Sequence, residues 1–413
     1  MEKININQLL VCRNLLQDKT IMLLNDYLCA SDDELKRCRL VSALIAQAET
    51  LGLSGNILQS YILYRLTHDD NLVAQLTELS CGNIGASLLT AFTNDIAVLK
   101  PLLTELPGDL ISCPMLNDYK PTFPKSQPEQ LAINRLLAGN WSDAEFAEAL
   151  LSYYLQFGAG DIAAFRAFRW DKGALTGIQH FEPTLFTDLI GYDKQKDQLR
   201  ANTAAFVHGH SANNVLLVGA RGTGKSTSVK ALANEFHSQG LRLLQITKPQ
   251  LTELPEIMMT LRRFASKKFI IFLDDLSFEE SDPEYKYLKS AIEGGVEGRP
   301  GNVLIYATSN RRHLIKETWQ DREQGQNELY RNDSMNETIS LSDRFGLIII
   351  YRAPNQDEYL AIIDHYLRRD GVTLTPEELR IAGHRWELEH SGRSGRTAIQ
   401  FVNHYLGQKH NNQ

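Results

Sequence analysis

Cysteine is scarce and poorly placed for cross-linking: Cys12, Cys29, Cys38, Cys81 and Cys113 are odd in number and confined to the first third of the chain. No CxxC pair and no histidine cluster accompanies them, so neither a disulfide framework nor a zinc site is expected. They read as reduced thiols of a hydrophobic core. Long apolar runs are also missing. No stretch approaches the ~18 apolar residues that span a bilayer, and the opening MEKININQLLVCRN is interrupted by Arg13 and lacks a small-residue cleavage site. The expectation is a cytoplasmic protein with no membrane partner. Nor is there an excess of positive charge. With 43 Lys and Arg against 50 Asp and Glu, the net charge of -7 gives no bulk attraction to nucleic acid or anionic lipid.

What is present is an ordinary globular composition, 43% hydrophobic and 23% charged, over 413 residues, a length that predicts two or three domains. From Asn5 to about Pro101 the periodicity is helical and β signals are few. Ser31 with Glu34 forms a capping-box pattern ahead of Leu35, Cys38, Val41, Leu44, Ile45 and Ala48. Pro107, Pro114, Pro121, Pro124 and Pro128 then predict an extended connector. Helical pattern resumes at Glu129, and Ser142 with Glu145 caps a helix through Phe157. The stretch Gly158 to Asp171 reads as an aromatic turn.

From about Asp188 strands alternate with helices, the pattern of a parallel α/β sheet. Strands are expected at Val215 to Val218, Leu241 to Thr247, Phe269 to Leu273, Val303 to Thr308 and Leu347 to Tyr351. Three helical stretches, near Asp357 to Arg368, Pro376 to Glu389 and Arg396 to Leu406, form a small lid, with a frayed tail after Gly407. The expected domains are 1–104 helical, 105–184 connector and linker helices, 185–353 α/β core, 354–407 lid and 408–413 tail.

One segment carries the chemistry. NVLLVGARGTGKS runs an apolar strand into Gly219, Gly224, Lys225 and Ser226 at the spacing of a phosphate-binding P-loop. Such a loop wraps a polyphosphate in backbone N–H groups, and side chains at its glycine positions would block the approach. Gly219, Ala220, Arg221, Gly222, Thr223, Gly224, Lys225, Ser226 and Thr227 are therefore expected to bind ATP. Lys225 supplies charge to the β- and γ-phosphates, Ser226 offers a hydroxyl to Mg²⁺, and the following helix aims its positive end at the anion. FIIFLDDL (Phe269 to Leu276) is a buried strand ending in two carboxylates and fits a Walker B strand. Asp274 would hold the Mg²⁺ shell opposite Ser226, and Asp275 would orient or deprotonate water.

With these motifs in this order, residues 185 to 406 resemble the AAA+ ATPases. The closest wording, in LDDLSFE, YLKSAIEGG, VLIYATSNRRHLI and LSDRFG, is that of an uncharacterised bacterial ATP-binding family catalogued as a domain of unknown function. The resemblance implies a P-loop NTPase sheet of AAA+ type with a helical C-terminal lid and an all-α N-terminal region. It implies that DLIGYDKQKDQL brings Ile190 and Gly191 against adenine. It also implies that Asn310 is the sensor 1 residue between Walker B and the γ-phosphate. LSDRFG resembles an arginine-finger box, with Arg344 reaching a neighbouring subunit's nucleotide, and GRSGRTAIQF resembles a sensor 2 helix start, with Arg396 the first choice and Arg393 the second.

The implied activity is ATP hydrolysis by a homo-oligomeric ring, coupled to remodelling of a protein or nucleic-acid client. The alternative is a slow-hydrolysing assembly switch or loader acting on DNA or a protein complex; a small-molecule kinase is disfavoured by the Asn-terminated strand followed by LSDRFG. Two departures stand out. Most AAA+ enzymes place Glu where this chain has Asp275, which leaves Glu279 and Glu280 as alternative bases. A polar stretch from Arg311 to Ile339 separates sensor 1 from the finger box and reads either as a contact insert or as a solvated connector. The Gly294, Gly295, Gly298 cluster reads as a helix end and turn, and Arg262, Arg263, Lys267 and Lys268 as a solvated face.

Overall fold

The computed structural model describes residues 4–29, 33–69, 71–104, 111, 113–124, 128–278, 282–293, 298–310, 342–390 and 392–411. Ser31, Pro107, Glu279, Glu280, Gly294, Gly295, the stretch 311–339 and Leu341 lie outside the described residues. The chain forms two compact units. The first comprises Met1–Arg166 with Ser238–Gly240 and Thr260–Lys267, and the second comprises Ala167–His237, Leu241–Met259 and Lys268–Gln413.

The first unit is helical: α1 (Lys19–Cys29), α2 (Glu34–Leu51), α3 (Ile57–His68), α4 (Leu72–Leu79), α5 (Ala86–Thr104), α6 (Pro128–Ala138), α7 (Asp143–Phe157) and α8 (Gly160–Ala164). Their apolar stripes meet in one cluster that includes Leu44, Leu63, Phe92, Ile96, Ile133, Leu150 and Tyr154. Helix α7 begins with the expected capping box, in which the Glu145 backbone donates to Ser142 Oγ and the Ser142 backbone to the Glu145 carboxylate. Helix α2 is capped differently from the expectation. Asp33 is its N-cap and accepts from the Leu35 and Lys36 backbones, because the helix begins at Glu34 and only the residue just before it can reach those orphan N–H groups.

A fully buried Asp95 anchors the extended N-terminal segment by accepting from the backbones of Leu10 (2.7 Å), Val11 (2.7 Å) and Cys12 (2.8 Å). Three donors are what a buried carboxylate requires. Burial and the neighbouring Asp95 push the Cys12 thiol far above the usual thiol range. The expectation of core thiols holds there and in part at Cys113, which is half-buried and packs against the same cluster; Cys29 and Cys38 stand on outward faces of α1 and α2 and Cys81 in a turn, and all three are exposed. Lys267 is a second correction: it is fully buried rather than solvated, and its ammonium donates to the Tyr154 (2.9 Å) and Leu155 (2.7 Å) carbonyls and to Ser266 Oγ. These carbonyls belong to the last turn of α7, where Tyr154 also accepts from the Gly158 backbone, so a cation there meets the negative end of the helix dipole.

The second unit is built on a seven-stranded sheet in the order β2-β1-β4-β5-β6-β3-β7. Its strands are β1 (Ala167–Asp171), β2 (Ala174–Gly177), β3 (Val215–Gly219), β4 (Leu241–Ile246), β5 (Lys268–Leu273), β6 (Val303–Ser309) and β7 (Leu347–Tyr351). All pairings are parallel except the β1–β2 hairpin. Five strands stand where the sequence predicts them, within one residue at each end. The hairpin replaces the expected aromatic turn: Phe168 and Trp170 are buried while Arg169 and Asp171 are exposed, an alternation that lasts only five residues.

Helices α9 (Asp193–Val207), α10 (Lys225–Phe236), α11 (Leu254–Arg262) and α12 (Glu284–Glu293) follow or precede the parallel strands. Strands β3, β5 and β6 are apolar on both faces, as a covered parallel sheet requires. The lid consists of α13 (Gln356–Arg369), α14 (Pro376–Glu389) and α15 (Gly395–Asn411) around Tyr359, Ile363, Leu367 and Phe401, with Ile190 packed against that cluster. Helix α15 continues past Gly407, where a frayed tail was expected.

Candidate functional site

Register decides which side chains meet at the carboxyl ends of the strands. Leu273 pairs with Ala307, so Asp274 arrives beside Thr308; Val218 pairs with Ser309, so Gly219 arrives beside Asn310. These ends sit where the chain order reverses about β3, the position at which open α/β sheets bind ligands. Gly219 also pairs with Tyr351 of β7, so closely that a Cβ would lie 1.8 Å from the Tyr351 carbonyl oxygen. Only glycine turns the chain there. Helix α10 then starts at Lys225 with Gly224 as its N-cap, leaving first-turn N–H groups that no helical carbonyl can satisfy.

Lys225 is buried, 7% exposed, and its ammonium donates to the carbonyls of Gly219 (2.8 Å) and Ala220 (2.7 Å) and to Asn310 Oδ1 (3.1 Å). Burial holds it below the ordinary lysine value; Asp275 and Asp274 pull it back up, and Arg221 adds to the lowering. The other end of the Asn310 amide donates to Asp275 Oδ1, so one side chain bridges the cation and a carboxylate. Asp274 Oδ1 accepts from Ser226 Oγ (2.6 Å) and Thr308 Oγ1 (2.6 Å). Thr308 Oγ1 accepts in turn from the Asp275 backbone N–H (2.9 Å), and Asp275 is held at φ +51°, a left-handed conformation that non-glycine residues seldom adopt.

A polar cleft of about 580 Å³ is lined by the loop from Arg221 to Thr227, by Lys230, Asp274, Asp275, Thr308 and Asn310, and by Arg396 of the lid. A second, mainly apolar cleft of about 300 Å³ shares Gly222, Thr223, Gly224, Thr227 and Arg396 and adds Leu189, Ile190, Ile362, Tyr366 and Ile399. The segment before α9 is tied in place by Tyr366 Oη donating to the Asp188 carbonyl (2.6 Å), Lys196 to the Leu189 carbonyl (3.0 Å) and Tyr192 Oη to the Arg352 carbonyl (2.8 Å). The lid touches the loop directly: a Cβ on Gly222 would lie 2.9 Å from Ser394 Oγ, and one on Gly395 3.1 Å from the Gly222 carbonyl oxygen.

Of the residues singled out from sequence, Lys225, Ser226, Asp274, Asp275, Asn310 and Arg396 come together on the polar cleft, and Ile190 on the apolar one. Gly219 and Ala220 contribute carbonyls rather than cleft surface, and Gly191 lines neither cleft. Arg344 lies away from both, its guanidinium paired with Glu293. Arg393 is likewise engaged, 2.6 Å from Glu387. Thr308 and Tyr366 escaped sequence reasoning. The first polar residue after the apolar run of VLIYATSN was the signal for the first; nothing local signalled the second.

The residues fit a magnesium triphosphate. An array of N–H donors, a buried ammonium, and a hydroxyl in contact with a carboxylate are the hard donors such a ligand takes. Among the described residues no group of three His, Cys, Asp or Glu could hold a metal alone. No helix among the described residues is long and apolar enough to cross a membrane.

Comparison with known proteins places the chain. The family described as protein of unknown function (DUF815) matches residues 163–409, more than half of the sequence. The chain belongs to that family. Within this DUF815 member the strand order, the loop after β3 and the carboxylates after β5 form a P-loop NTPase fold of AAA+ type with a helical lid. The chain is 22% identical over 207 residues to the replication factor C large subunit of Pyrococcus horikoshii, covering 49% of this chain and 38% of that protein. It is 27% identical over 103 residues to the replication factor C large subunit of Thermococcus kodakarensis, covering 24% and 21%. It thus spans well under half the length of these curated relatives. Among solved structures, the RuvB Holliday junction branch migration motor of Thermotoga maritima aligns at 18% identity with a TM-score of 0.38, covering 54% of this chain and 64% of that one.

Proposed function

We propose that this protein binds ATP with Mg²⁺ and hydrolyses it, ATP + H₂O giving ADP + phosphate, and that it uses the reaction to remodel a macromolecular partner. The observation that carries the reading is the convergence on one cleft of Lys225, Ser226, Asp274, Asp275 and Asn310, delivered by two strand ends and one helix start. Lys225 and the loop N–H groups would hold the phosphates, and Ser226 with Asp274 would hold the metal ion, whose charge would offset that of the phosphates. Asp275 and Asn310 position the attacking water. The base takes the apolar cleft beside Ile190, and Arg396 joins the two ends of the nucleotide.

In this reading the protein works in the cytoplasm as a homo-oligomeric ring, with Arg344 of one copy completing the site of the next, and its client is a protein or a nucleic acid. Titration calorimetry with MgATP and a phosphate-release assay test it. Saturable heat and release that Lys225→Ala abolishes are expected; no heat with any purine nucleotide overturns the reading. The engagement of Arg344 with Glu293 and of Asp275 with Asn310 within a single chain supports a second reading, a slow-hydrolysing assembly switch or loader. Specific activity against protein concentration separates them: a steep rise to fast turnover supports the motor, and flat, slow turnover with ATP-dependent assembly supports the switch.

A further inference from the structure

The cations around the polar cleft are unevenly committed. Lys225 is held by three acceptors, and Lys230 lies 2.8 Å from Glu182. Arg344 and Arg393, outside the cleft, are paired with Glu293 and Glu387. Arg221 and Arg396 are the exposed cleft cations whose side chains make no ion pair or hydrogen bond among the described residues. These two differ in place: Arg396 borders both clefts, whereas Arg221 borders only the polar one, with Asp274, Asp275 and Asn310.

Arg221 stands at the tip of the loop, two residues after Gly219 and one before Gly222. Among the described residues no carboxylate pairs with it, and its charge acts on Lys225 so as to disfavour the ammonium there. Two like charges on one short loop oppose each other until an anion lies between them. A planar guanidinium also differs from the ammonium beside it, because its fork of donors can engage two oxygens of one phosphoryl group.

Resting on the nucleotide reading above, we propose that Arg221 is a catalytic residue supplied by the same chain as the rest of the site, stabilising the terminal phosphoryl group as it transfers to water. The water oxygen bonds to the terminal phosphorus, the bond to the bridging oxygen breaks, and its electron pair leaves with ADP while a water proton is released. Charge shifts towards the leaving oxygen and spreads over the phosphoryl oxygens, where a preorganised cation is most effective. The chain thus carries an arginine of its own, so part of its turnover needs no neighbouring copy.

The test compares ground state and transition state in the full chain. Calorimetry on wild type, Arg221→Ala and Arg221→Lys measures affinity for MgADP and for MgADP with magnesium fluoride, which mimics the transferring phosphoryl; turnover is read at several protein concentrations. Arg221→Ala is expected to leave MgADP affinity within about threefold. It should weaken the fluoride complex and lower saturated turnover by at least about tenfold, at every protein concentration. Arg221→Lys recovers part of that loss. Equal losses for MgADP and the fluoride complex, or no loss in either, overturn the proposal. If wild type binds neither, the nucleotide reading itself has failed, and this inference falls with it. Circular dichroism of the variants identifies any that fail to fold, and a folded Arg221→Gln, which keeps length without charge, then decides.

Discussion

Among the described residues two lysines are almost removed from solvent, one in each unit, and both press an ammonium group against backbone carbonyls. Lys267 sits on the end of α7 with Glu78, itself 5% exposed, 3.9 Å away, so everything that balances its charge belongs to the fold. Lys225 has the carbonyls of its own loop and an asparagine amide, while the nearest carboxylates, Asp274 and Asp275, accept hydrogen bonds from Ser226, Thr308 and Asn310. It also borders open volume. A buried cation is thus structural where its counter-charge is internal, and directed at a ligand where the counter-charge has been left for something else to supply.

Exchanging the two residues' roles by mutation tests that contrast. Lys225→Ala carries the largest effect: about a thousandfold loss of ATP turnover at saturation, the scale of one preorganised transition-state donor at the upper end, with an unchanged urea midpoint. A fall in stability there would break the comparison. Lys267→Met is expected to do the reverse, costing about 3 kcal/mol in the unfolding of the helical unit because Glu78 is left buried without its cation, while MgATP affinity stays at the wild-type value. The double variant Lys267→Met/Glu78→Leu should recover part of that loss.

Asp275→Asn comes next, with turnover lowered about a hundredfold, the lower end for general base catalysis, and ATP retained in a filter-binding assay. Persistent turnover would move the base to Glu279 or Glu280. The smallest effect is that of Ser142→Ala, about 1 kcal/mol from the loss of one helix cap, seen in denaturant unfolding and invisible to nucleotide titration.

Legibility in the sequence followed locality. The P-loop is contiguous, and the centres of β3, β5 and β6 are apolar runs, so both could be read directly. The β1–β2 hairpin could not, because its alternation is short and its turn is Lys172-Gly173, both at positive φ, where Asn-Gly would have announced it. Lys267 looked solvated because Arg262, Arg263 and Lys268 stand close by in sequence, whereas its two carbonyl acceptors are more than a hundred residues away. Thr308 belongs with Asp274 only through the pairing of Leu273 with Ala307, a register that no single strand encodes. Arg344 carried a recognisable motif, yet its guanidinium lies on Glu293.

The bare backbone of Gly222 beneath Ser394 and Gly395 has a mechanical corollary. Nothing compressible separates the tip of the loop from the first turn of α15, so a displacement of one by a few tenths of an ångström must be met by the other. A single added methyl at residue 222 would act as a doorstop, propping the helix away from the strand ends and straining a backbone held at φ +73°.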